Sequence, residues 1–333
     1  MTPDTERLKF REKMGYGLGD FASCLFWQTF SIYLAVFYTD IFGLSATAVA
    51  TMLLITRTWD LFYDPVMGVI ADRTTTRWGK FRPYLLWVPI PLGLAAVLTF
   101  TTPDFDAAGK LTYAYLTYGL LMLFYSTVNV PYAALLGVVT THPKDRIALS
   151  SWRMIGAFAG SSFVTYSNYG LAYYFSVADA KLSYAMQLTI TSLTKAFSTA
   201  SETAGEVVEK VTLTPGGYQA TMIVYAILAV IIFTLTFLLT KERVVPRPVA
   251  RDSWKRDVMD LVKNYPWLIL VGVTILKNSF AGIRGGMIYY YFKYYVNNEA
   301  LSGSYLLFGS LASIAGIYLV QYIPVSWGKK VPY

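Results

Sequence analysis

Residues 51–65 read Thr-Met-Leu-Leu-Ile-Thr-Arg-Thr-Trp-Asp-Leu-Phe-Tyr-Asp-Pro, and they place three charges in a run that is otherwise apolar enough to cross a membrane. Asp60 and Asp64 are one helical turn apart, so both carboxylates project from one helix face, with Arg57 about one turn earlier. Placing a charge at mid-membrane depth costs about 2.5–3.5 kcal/mol on insertion scales. Such residues therefore usually mark an ion or substrate pathway.

The paired carboxylates leave two interpretations open. Two acids on one helix face can hold a small cation or share a proton, and they titrate as a pair. Alternatively, Arg57 neutralises one of them, and the set only fixes how the helix packs. Because ionisable residues inside a membrane are functional by default, the pattern favours an ion site.

The composition is typical of a polytopic helical membrane protein. Of the 333 residues, 55% are hydrophobic and 14% are charged, whereas soluble domains have about 25% charged residues. Apolar runs of membrane-spanning length recur along the chain. The single cysteine, Cys24, excludes a disulfide framework within the chain.

The net charge of +8 reflects basic residues that are concentrated in alternate loops. This asymmetry is the positive-inside pattern, and it predicts a multi-pass protein of the cytoplasmic (inner) membrane with a cytoplasmic N-terminus. The excess charge is therefore assigned to topology, and no nucleic-acid partner is expected. The basic loops contain Arg7–Lys13, Arg73–Arg82, Lys144–Arg146 and Lys241–Lys263, and the other loops contain Lys110, Lys181, Lys195 and Lys210.

A polar, basic connector separates six predicted membrane spans from two more. Residues 1–240 hold the six-helix bundle, residues 241–265 form the connector, and residues 266–333 begin a second bundle with two helices. The segment 176–217 is predicted to be external. The predicted spans are residues 16–40, 46–71, 83–101, 111–140, 147–176, 218–240, 266–296 and 301–323.

The loop after the second span carries the most extended motif, Ala71-Asp72-Arg73-Thr-Thr-Thr-Arg77-Trp78-Gly79-Lys80-Phe81-Arg82-Pro83. Its glycine permits the tight reversal of a short helix–helix loop, and its proline suits the first turn of the next helix. Its arginines can pair with the aspartate and with carbonyl groups at helix ends. One interpretation is an ordinary positive-inside anchor. The other is a gating loop formed by Asp72, Arg73, Arg77, Gly79 and Lys80.

Several motifs that occur in order carry a resemblance to a known family. They are Tyr16-Gly17-Leu18-Gly19-Asp20, Phe37-Tyr38-Thr39-Asp40-Ile41-Phe42-Gly43, Trp59-Asp60 with Asp64-Pro65 and Met67-Gly68, Arg77-Trp78-Gly79-Lys80, Asn129-Val130-Pro131-Tyr132 and Trp152-Arg153. The chain resembles the glycoside–pentoside–hexuronide:cation symporter family of the major facilitator superfamily. The resemblance covers the chain to about residue 325 and implies an all-α membrane protein with a major facilitator-type helical bundle. Compared with the family, the chain is expected to stop after the eighth helix.

The resemblance implies a cation site on helices two and four. Asp60 and Asp64 match the two carboxylates that coordinate the coupling cation, and they would be its metal ligands if that cation is Na⁺. Ser126 falls where the family has a hydroxyl ligand, and hydroxyl oxygen suits sodium. Tyr63 replaces an amide found in the family's best-known member. Because a phenol is a poorer sodium ligand than an amide, H⁺ stays open beside Na⁺.

The resemblance also implies a glycoside site. Arg153 matches an arginine that contacts the sugar. Asn129 and Cys24 stand where the best-known member has sugar-binding aspartates, so a different glycoside is expected. Asp20 and Tyr132 complete the predicted substrate site, with a buried partner for a basic residue and a core aromatic as their alternatives. Further candidates for the cavity are Trp27, Gln28, Trp59, Tyr125, Lys277, Asn278 and Arg284.

Sequence motifs of hydrolases, zinc proteases and phosphate-loop enzymes are absent from the sequence. We expect a secondary active transporter that carries a glycoside or oligosaccharide with H⁺ or Na⁺ by alternating access. It would need no cofactor, act as a monomer in the lipid bilayer, and bind a small-molecule glycoside. The alternatives are a polytopic membrane enzyme with Asp60 and Asp64 as its acid–base pair, and an inactive fragment of the symporter.

Overall fold

The structure is a computed structural model that describes residues 7–195, 214–244 and 263–320, with gaps at 267, 271, 274–275, 277–279, 281–290, 292–294 and 297–299. These residues form helices joined by turns, with an isolated bridge between Thr76 and Gly79. The predicted all-α class is confirmed. The chain divides into two compact units, Met1–Val244 with Ala312–Tyr333, and Val245–Leu311. The predicted cavity residues Lys277, Asn278 and Arg284 lie outside the described residues.

The first predicted span is a bent helix. Helix α1 (Phe10–Ile32) is followed by the short α2 (Leu34–Val36) and a π-helical turn (Phe37–Ile41), and the two parts meet at 47°. Helix α3 (Ala46–Arg73) begins where the Ser45 hydroxyl accepts the Ala48 N–H, which satisfies one free donor of the first turn. The predicted second span, residues 46–71, agrees with α3 to within two residues.

The third predicted span is interrupted. Helices α4 (Arg82–Trp87) and α5 (Pro89–Thr99) meet at Val88, whereas one continuous helix is predicted over residues 83–101. Pro89 and Pro91 both lack the backbone N–H that would continue the hydrogen-bond ladder of α4. The break therefore follows from the local sequence.

The remaining helices begin at caps or prolines. Helix α6 (Ala107–Val139) starts at Asp106, whose carboxylate accepts the Gly109 N–H, and α8 (Pro215–Leu239) starts at Thr214 in the same way with Gly217. Between them lies α7 (Pro143–Lys195). The final described helix is α9 (Ala300–Val320).

Helix α7 is longer than predicted. It has 53 residues and continues to Lys195, beyond residue 176, where the predicted fifth membrane span ends. The sequence after Gly170 contains neither glycine nor proline up to Lys195, so nothing in the backbone chemistry stops the helix there. The first part of the predicted external segment is therefore helical.

Fewer helices qualify as membrane spans by composition than the eight predicted. Among the described residues, α6 and α8 are long and apolar enough to cross a membrane. The bent helix formed by α1 and its continuation to Ile41 is a third candidate if it is counted as one span. Helix α3 carries Arg57, Asp60 and Asp64 within its length, and α5 has only 11 residues. The charges that make α3 informative also lower its hydropathy.

Helices α1 and α7 approach each other through glycines. A Cβ atom added to Gly156 would lie 1.9 Å from the carbonyl oxygen of Gly17, and one added to Gly17 would lie 2.4 Å from the carbonyl oxygen of Trp152. Neither position has room for a larger residue. This backbone contact brings the α1 residue Asp20 opposite Arg153 of α7.

Candidate functional site

The acidic face of α3 carries carboxylate oxygens that the described residues do not satisfy. One oxygen of Asp60 and one of Asp64 are buried without a hydrogen-bond partner there. The nearest Arg57 nitrogen lies 3.9 Å from the other Asp60 oxygen, which is an ion-pair contact but too long for a hydrogen bond. Arg57 therefore only partly compensates Asp60. Buried carboxylate oxygen without a donor suits a bound proton or a hard cation.

Two other predicted cation ligands lie on α6 and α3. Ser126 is buried on α6. The Tyr63 hydroxyl lies 2.9 Å from Thr127 Oγ1, also on α6, and 3.8 Å from the Met67 sulfur. The phenol is therefore engaged by α6, and no hydrogen bond joins it to either aspartate among the described side chains. Thr127 was not singled out from the sequence.

The predicted substrate residues form a polar layer between α1, α6 and α7. Arg153 Nε donates to Asp20 Oδ2 at 2.7 Å, and its guanidinium carbon lies 5.4 Å from the centre of the Tyr132 ring. The Ser23 hydroxyl donates to Asn129 Oδ1 at 2.9 Å, and the Asn129 amide donates to a backbone carbonyl one turn earlier. The layer thus contains one ion pair and one neutral amide–hydroxyl pair.

Asp20 takes the alternative role considered for it. It is buried and bonded to Arg153, so it is a partner for a base on the neighbouring helix. The bond uses the Nε edge of the guanidinium, and the Arg153 side chain keeps 34% exposure. Both nitrogens of the opposite edge remain outside the contact with Asp20. An arginine held in this way presents a fork that can bind two adjacent hydroxyl groups.

Tyr132 lies behind the layer. Its ring stacks on Tyr16 at 4.9 Å, and each hydroxyl donates to the other residue's carbonyl oxygen, at 2.5 Å from Tyr132 and 3.3 Å from Tyr16. Both side chains are completely buried. The structure therefore places Tyr132 in the core and not on an exposed wall. Cys24, the other predicted contact, is half-buried beside Gly160 of α7.

An aromatic pair links the acidic face to the polar layer. The Trp27 ring of α1 stacks on Tyr125 of α6 with centres 5.5 Å apart, and the Arg57 guanidinium carbon lies 4.3 Å from the Trp27 ring centre. The sequence patterns indicated these aromatics as cavity candidates but not their contact with Arg57. The available indication was spacing, since Asp20, Ser23 and Trp27 follow one another on one face of α1.

The end of the predicted gating loop donates hydrogen bonds to a residue that the sequence patterns did not indicate. Glu242, just after α8, accepts backbone N–H groups from Lys80, Phe81 and Arg82 at 2.9, 2.8 and 3.0 Å. Gly79 has a φ of +111°, and a Cβ there would lie 2.4 Å from the Glu242 carboxyl carbon. A carboxylate at the start of α4 satisfies the free N–H groups of its first turn.

In the described part of the chain, the arginines of this motif contact a carbonyl group near a helix end, as expected, but not the aspartate. Arg77 lies over the Trp78 ring at 4.4 Å, and Arg82 donates to the Phe237 carbonyl oxygen at 2.6 Å. Within the described part of the chain, Asp72 and Arg73 make no ion pair. The expected pairing of the arginines with Asp72 is therefore not seen there.

Comparisons with known proteins identify the family of the chain. A family model described as MFS/sugar transport protein matches residues 15–333. The chain belongs to this family. Among its relatives, the putative glycoside/cation symporter YagG of Escherichia coli K12 is 39% identical over 93% of the chain and 60% of the relative. The inner membrane symporter YicJ of the same strain is 34% identical over 98% of the chain and 63% of the relative.

A third relative of this sugar-transport family member is the isoprimeverose transporter of Lactiplantibacillus pentosus, 29% identical over 96% of the chain and 60% of the relative. These similarities support the glycoside–pentoside–hexuronide branch to which the motifs point. The chain spans about three fifths of the length of these relatives. The family consists of transporters, so the alternative of a membrane enzyme does not apply.

Proposed function

We propose that the protein is a cation-coupled symporter that moves a glycoside across the inner membrane by alternating access. The observation that carries the proposal is the pair of buried, unsatisfied carboxylate oxygens on Asp60 and Asp64 of α3. Leaving a charged oxygen without a donor is costly, and a coupling ion removes that cost when it binds. The names of the relatives YagG and YicJ support symport.

The coupling ion is H⁺ or Na⁺, and the position of Tyr63 favours H⁺. Its hydroxyl is bonded to Thr127 and makes no hydrogen bond to the aspartates. A sodium ion would then depend on Asp60, Asp64 and the Ser126 hydroxyl, with no amide oxygen from position 63. A proton needs only one carboxylate oxygen. No cofactor beyond the ion enters the proposal.

The glycoside would bind at the polar layer. Arg153, oriented by Asp20, supplies a forked donor, and Asn129, bonded to Ser23 of α1, supplies an amide. Sugar hydroxyls are both donors and acceptors, so a guanidinium and an amide can both engage them. Cys24 lies on the same stretch of α1. The name of the isoprimeverose transporter supports a small glycoside as the substrate class.

The domain arrangement and orientation belong to the same proposal. Residues 1–240 would form the N-terminal bundle, residues 241–265 the connector, and residues 266–333 the beginning of the second bundle of a monomeric transporter. The N-terminus and the loop containing Arg77 would be cytoplasmic. Cysteine labelling from outside intact cells should reach position 195 and spare positions 77 and 247. Labelling of the reverse set would overturn the orientation.

Transport itself is tested with the protein as its gene encodes it, purified and reconstituted in liposomes. Exchange and uphill uptake are measured for isoprimeverose and for nitrophenyl xyloside, galactoside and glucuronide, with an imposed proton gradient, sodium gradient or neither. We expect exchange of at least one glycoside and accumulation driven by the proton gradient. Accumulation driven by sodium alone would reverse the choice of ion. The absence of both exchange and accumulation for the panel would contradict the proposed function.

A further inference from the structure

Trp27 connects two groups of residues that otherwise lie on different helices. It belongs to α1, two turns after Asp20, and the residue is 37% exposed. One neighbour is Tyr125 of α6, which stacks on it, and the backbone carbonyl of Tyr125 accepts the Asn129 amide of the polar layer. The other neighbour is Arg57 of α3. Trp27 thus contacts a neighbour of the polar layer on one side and a neighbour of the acidic pair on the other.

Arg57 is shared between a carboxylate and an aromatic ring. Its nearest nitrogen is 3.9 Å from Asp60 Oδ2, and its guanidinium carbon is 4.3 Å from the Trp27 ring centre. At 3.9 Å the guanidinium makes no hydrogen bond to Asp60, while 4.3 Å is within the range of a cation–π interaction. The side chain is 38% exposed, so it has room to shift between the two.

We infer that Trp27 is a positioning residue that transmits the state of the cation site at Asp60 and Asp64 to the polar layer, with Arg57 as the intermediate. The inference rests on the proposed function. When the acidic pair is empty, the charge on Asp60 attracts Arg57 away from the ring. When an ion neutralises the pair, that attraction falls, and the guanidinium settles on the Trp27 face.

For the substrate, the consequence is that the Trp27 ring, at one wall of the cavity, becomes fixed in orientation. A ring held between Arg57 and Tyr125 has a fixed orientation, and a fixed aromatic face loses less freedom when a sugar ring stacks on it. The ion therefore tightens glycoside binding without touching the sugar. By linkage, the glycoside tightens ion binding by the same factor.

The test measures that factor directly. For the glycoside that exchanges best in the panel above, its dissociation constant is determined with and without saturating coupling ion, and the ratio is the linkage factor. We expect Trp27→Leu to reduce the linkage factor at least about threefold and Trp27→Phe to reduce it less. Ion affinity measured without glycoside should fall by a smaller factor than the linkage factor does, since both aspartates are intact.

A matched control separates this role from general loss of an aromatic side chain. Trp87→Leu makes the same change at a residue of α4 that is 56% exposed and whose aromatic contact among the described residues is with the Trp78 ring. It should leave the linkage factor unchanged. An unchanged factor in Trp27→Leu would overturn the inference. So would a fall in glycoside-free ion affinity of the same size, because Trp27 would then belong to the ion site.

A second measurement needs no glycoside, so failure of the proposed substrate class is distinguishable from failure of this inference. Indole fluorescence is recorded while NaCl replaces choline chloride, and again while the pH is lowered in sodium-free buffer. We expect one ion to change the emission of the wild-type protein, because the guanidinium moves relative to the Trp27 ring. The change should disappear in both Trp27→Phe and Arg57→Gln. Its persistence in either variant would overturn the inference.

Discussion

Arg153 of α7 donates its Nε hydrogen to Asp20 of α1 over 2.7 Å, across an interface that two glycines bring to backbone contact. Each residue depends on the other in this position. A guanidinium in a membrane interior needs a counter-charge, and the carboxylate is buried because the base compensates it. The bond to Asp20 holds the guanidinium of Arg153 in one orientation. Because the pair has no net charge, a neutral substrate can bind beside it without leaving an uncompensated charge buried.

Asp20 should therefore control glycoside affinity without contacting the sugar. Asp20→Asn replaces the charged acceptor, and we expect the dissociation constant of the exchanged glycoside to rise at least about tenfold, with ion binding retained. Arg153→Lys should have an effect of at least the same size, because an ammonium cannot reproduce the fork. Equilibrium binding to purified protein measures both. Asp104→Asn, at an exposed position, is the charge-matched control.

Removal of one partner also leaves a buried charge, which costs stability. The double variant Asp20→Asn with Arg153→Gln removes both charges and separates the two effects. We expect it to unfold closer to the wild-type temperature than Asp20→Asn does, while it binds glycoside no better. Wild-type affinity in the double variant would exclude the pair from the substrate site.

The carboxylates of α3 give a different prediction. Asp60→Asn and Asp64→Asn each remove a charge that the coupling ion would compensate, and they leave the polar layer between α1, α6 and α7 intact. We expect each variant to lose gradient-driven accumulation and to retain glycoside exchange. Uptake into liposomes with and without an imposed gradient distinguishes the two activities. Full accumulation in either variant would return the pair to a role in helix packing.

Local patterns in the sequence predicted much of this architecture. The run of apolar residues predicted α3 closely, and the one-turn spacing placed Asp60 and Asp64 on one face of it. The break at Val88 was predictable from Pro89 and Pro91, because the missing N–H groups are a local property. Membrane spans assigned from hydropathy do not reveal this break, because hydropathy does not depend on whether a residue has a backbone N–H.

The contacts that tie distant segments together were not predictable in the same way. Glu242 is more than 150 positions from the loop that it caps, and no periodicity connects an acid in a basic connector with N–H groups at Lys80. The contact of Arg57 with Trp27 likewise depends on how α1 and α3 lie in space. Such pairings follow from tertiary packing, which a single sequence does not display.

Glu242 should stabilise the fold through the loop preceding α4. In Glu242→Gln, an NH₂ group can replace the oxygen that faces the Lys80 N–H, so that two donors oppose each other. We expect the free energy of unfolding to fall by about 1–3 kcal/mol. Gly79→Ala should destabilise the same contact, because its Cβ would meet the carboxyl group and its φ is +111°. Thermal unfolding in detergent measures both.

The charge-matched control for Glu242→Gln is again Asp104→Asn, which is exposed and should unfold as the wild type does. A Glu242→Gln protein that unfolds at the wild-type temperature would mean that the bond to the Lys80 N–H and the charge of Glu242 contribute nothing to stability. Transport by this variant serves as a separate test of gating. If the loop is a latch, exchange rates should change even where the unfolding temperature does not.

Asp145, at the first turn of α7, gives a pH-dependent prediction. It accepts hydrogen bonds from Lys13 Nζ at 2.8 Å and from the Leu8 N–H at 3.2 Å. Burial raises the pKa of this carboxyl, but these hydrogen bonds, the charge of Lys13 and a smaller contribution from His142 outweigh burial and lower its pKa overall. The folded protein therefore binds a proton at Asp145 less readily than the unfolded chain does.

The ionised carboxylate then stabilises the fold fully above the ordinary aspartate pKa of about 3.9, and the stabilisation is lost as the pH falls through the lower folded-state value. The wild-type protein should unfold at a higher temperature than Asp145→Asn at neutral pH, with a difference that is constant above about pH 5 and shrinks below about pH 4. Thermal unfolding of both proteins across this range measures the difference, with Asp104→Asn as the control. A difference that stays constant or widens on acidification would mean that Asp145 does not act through its charge.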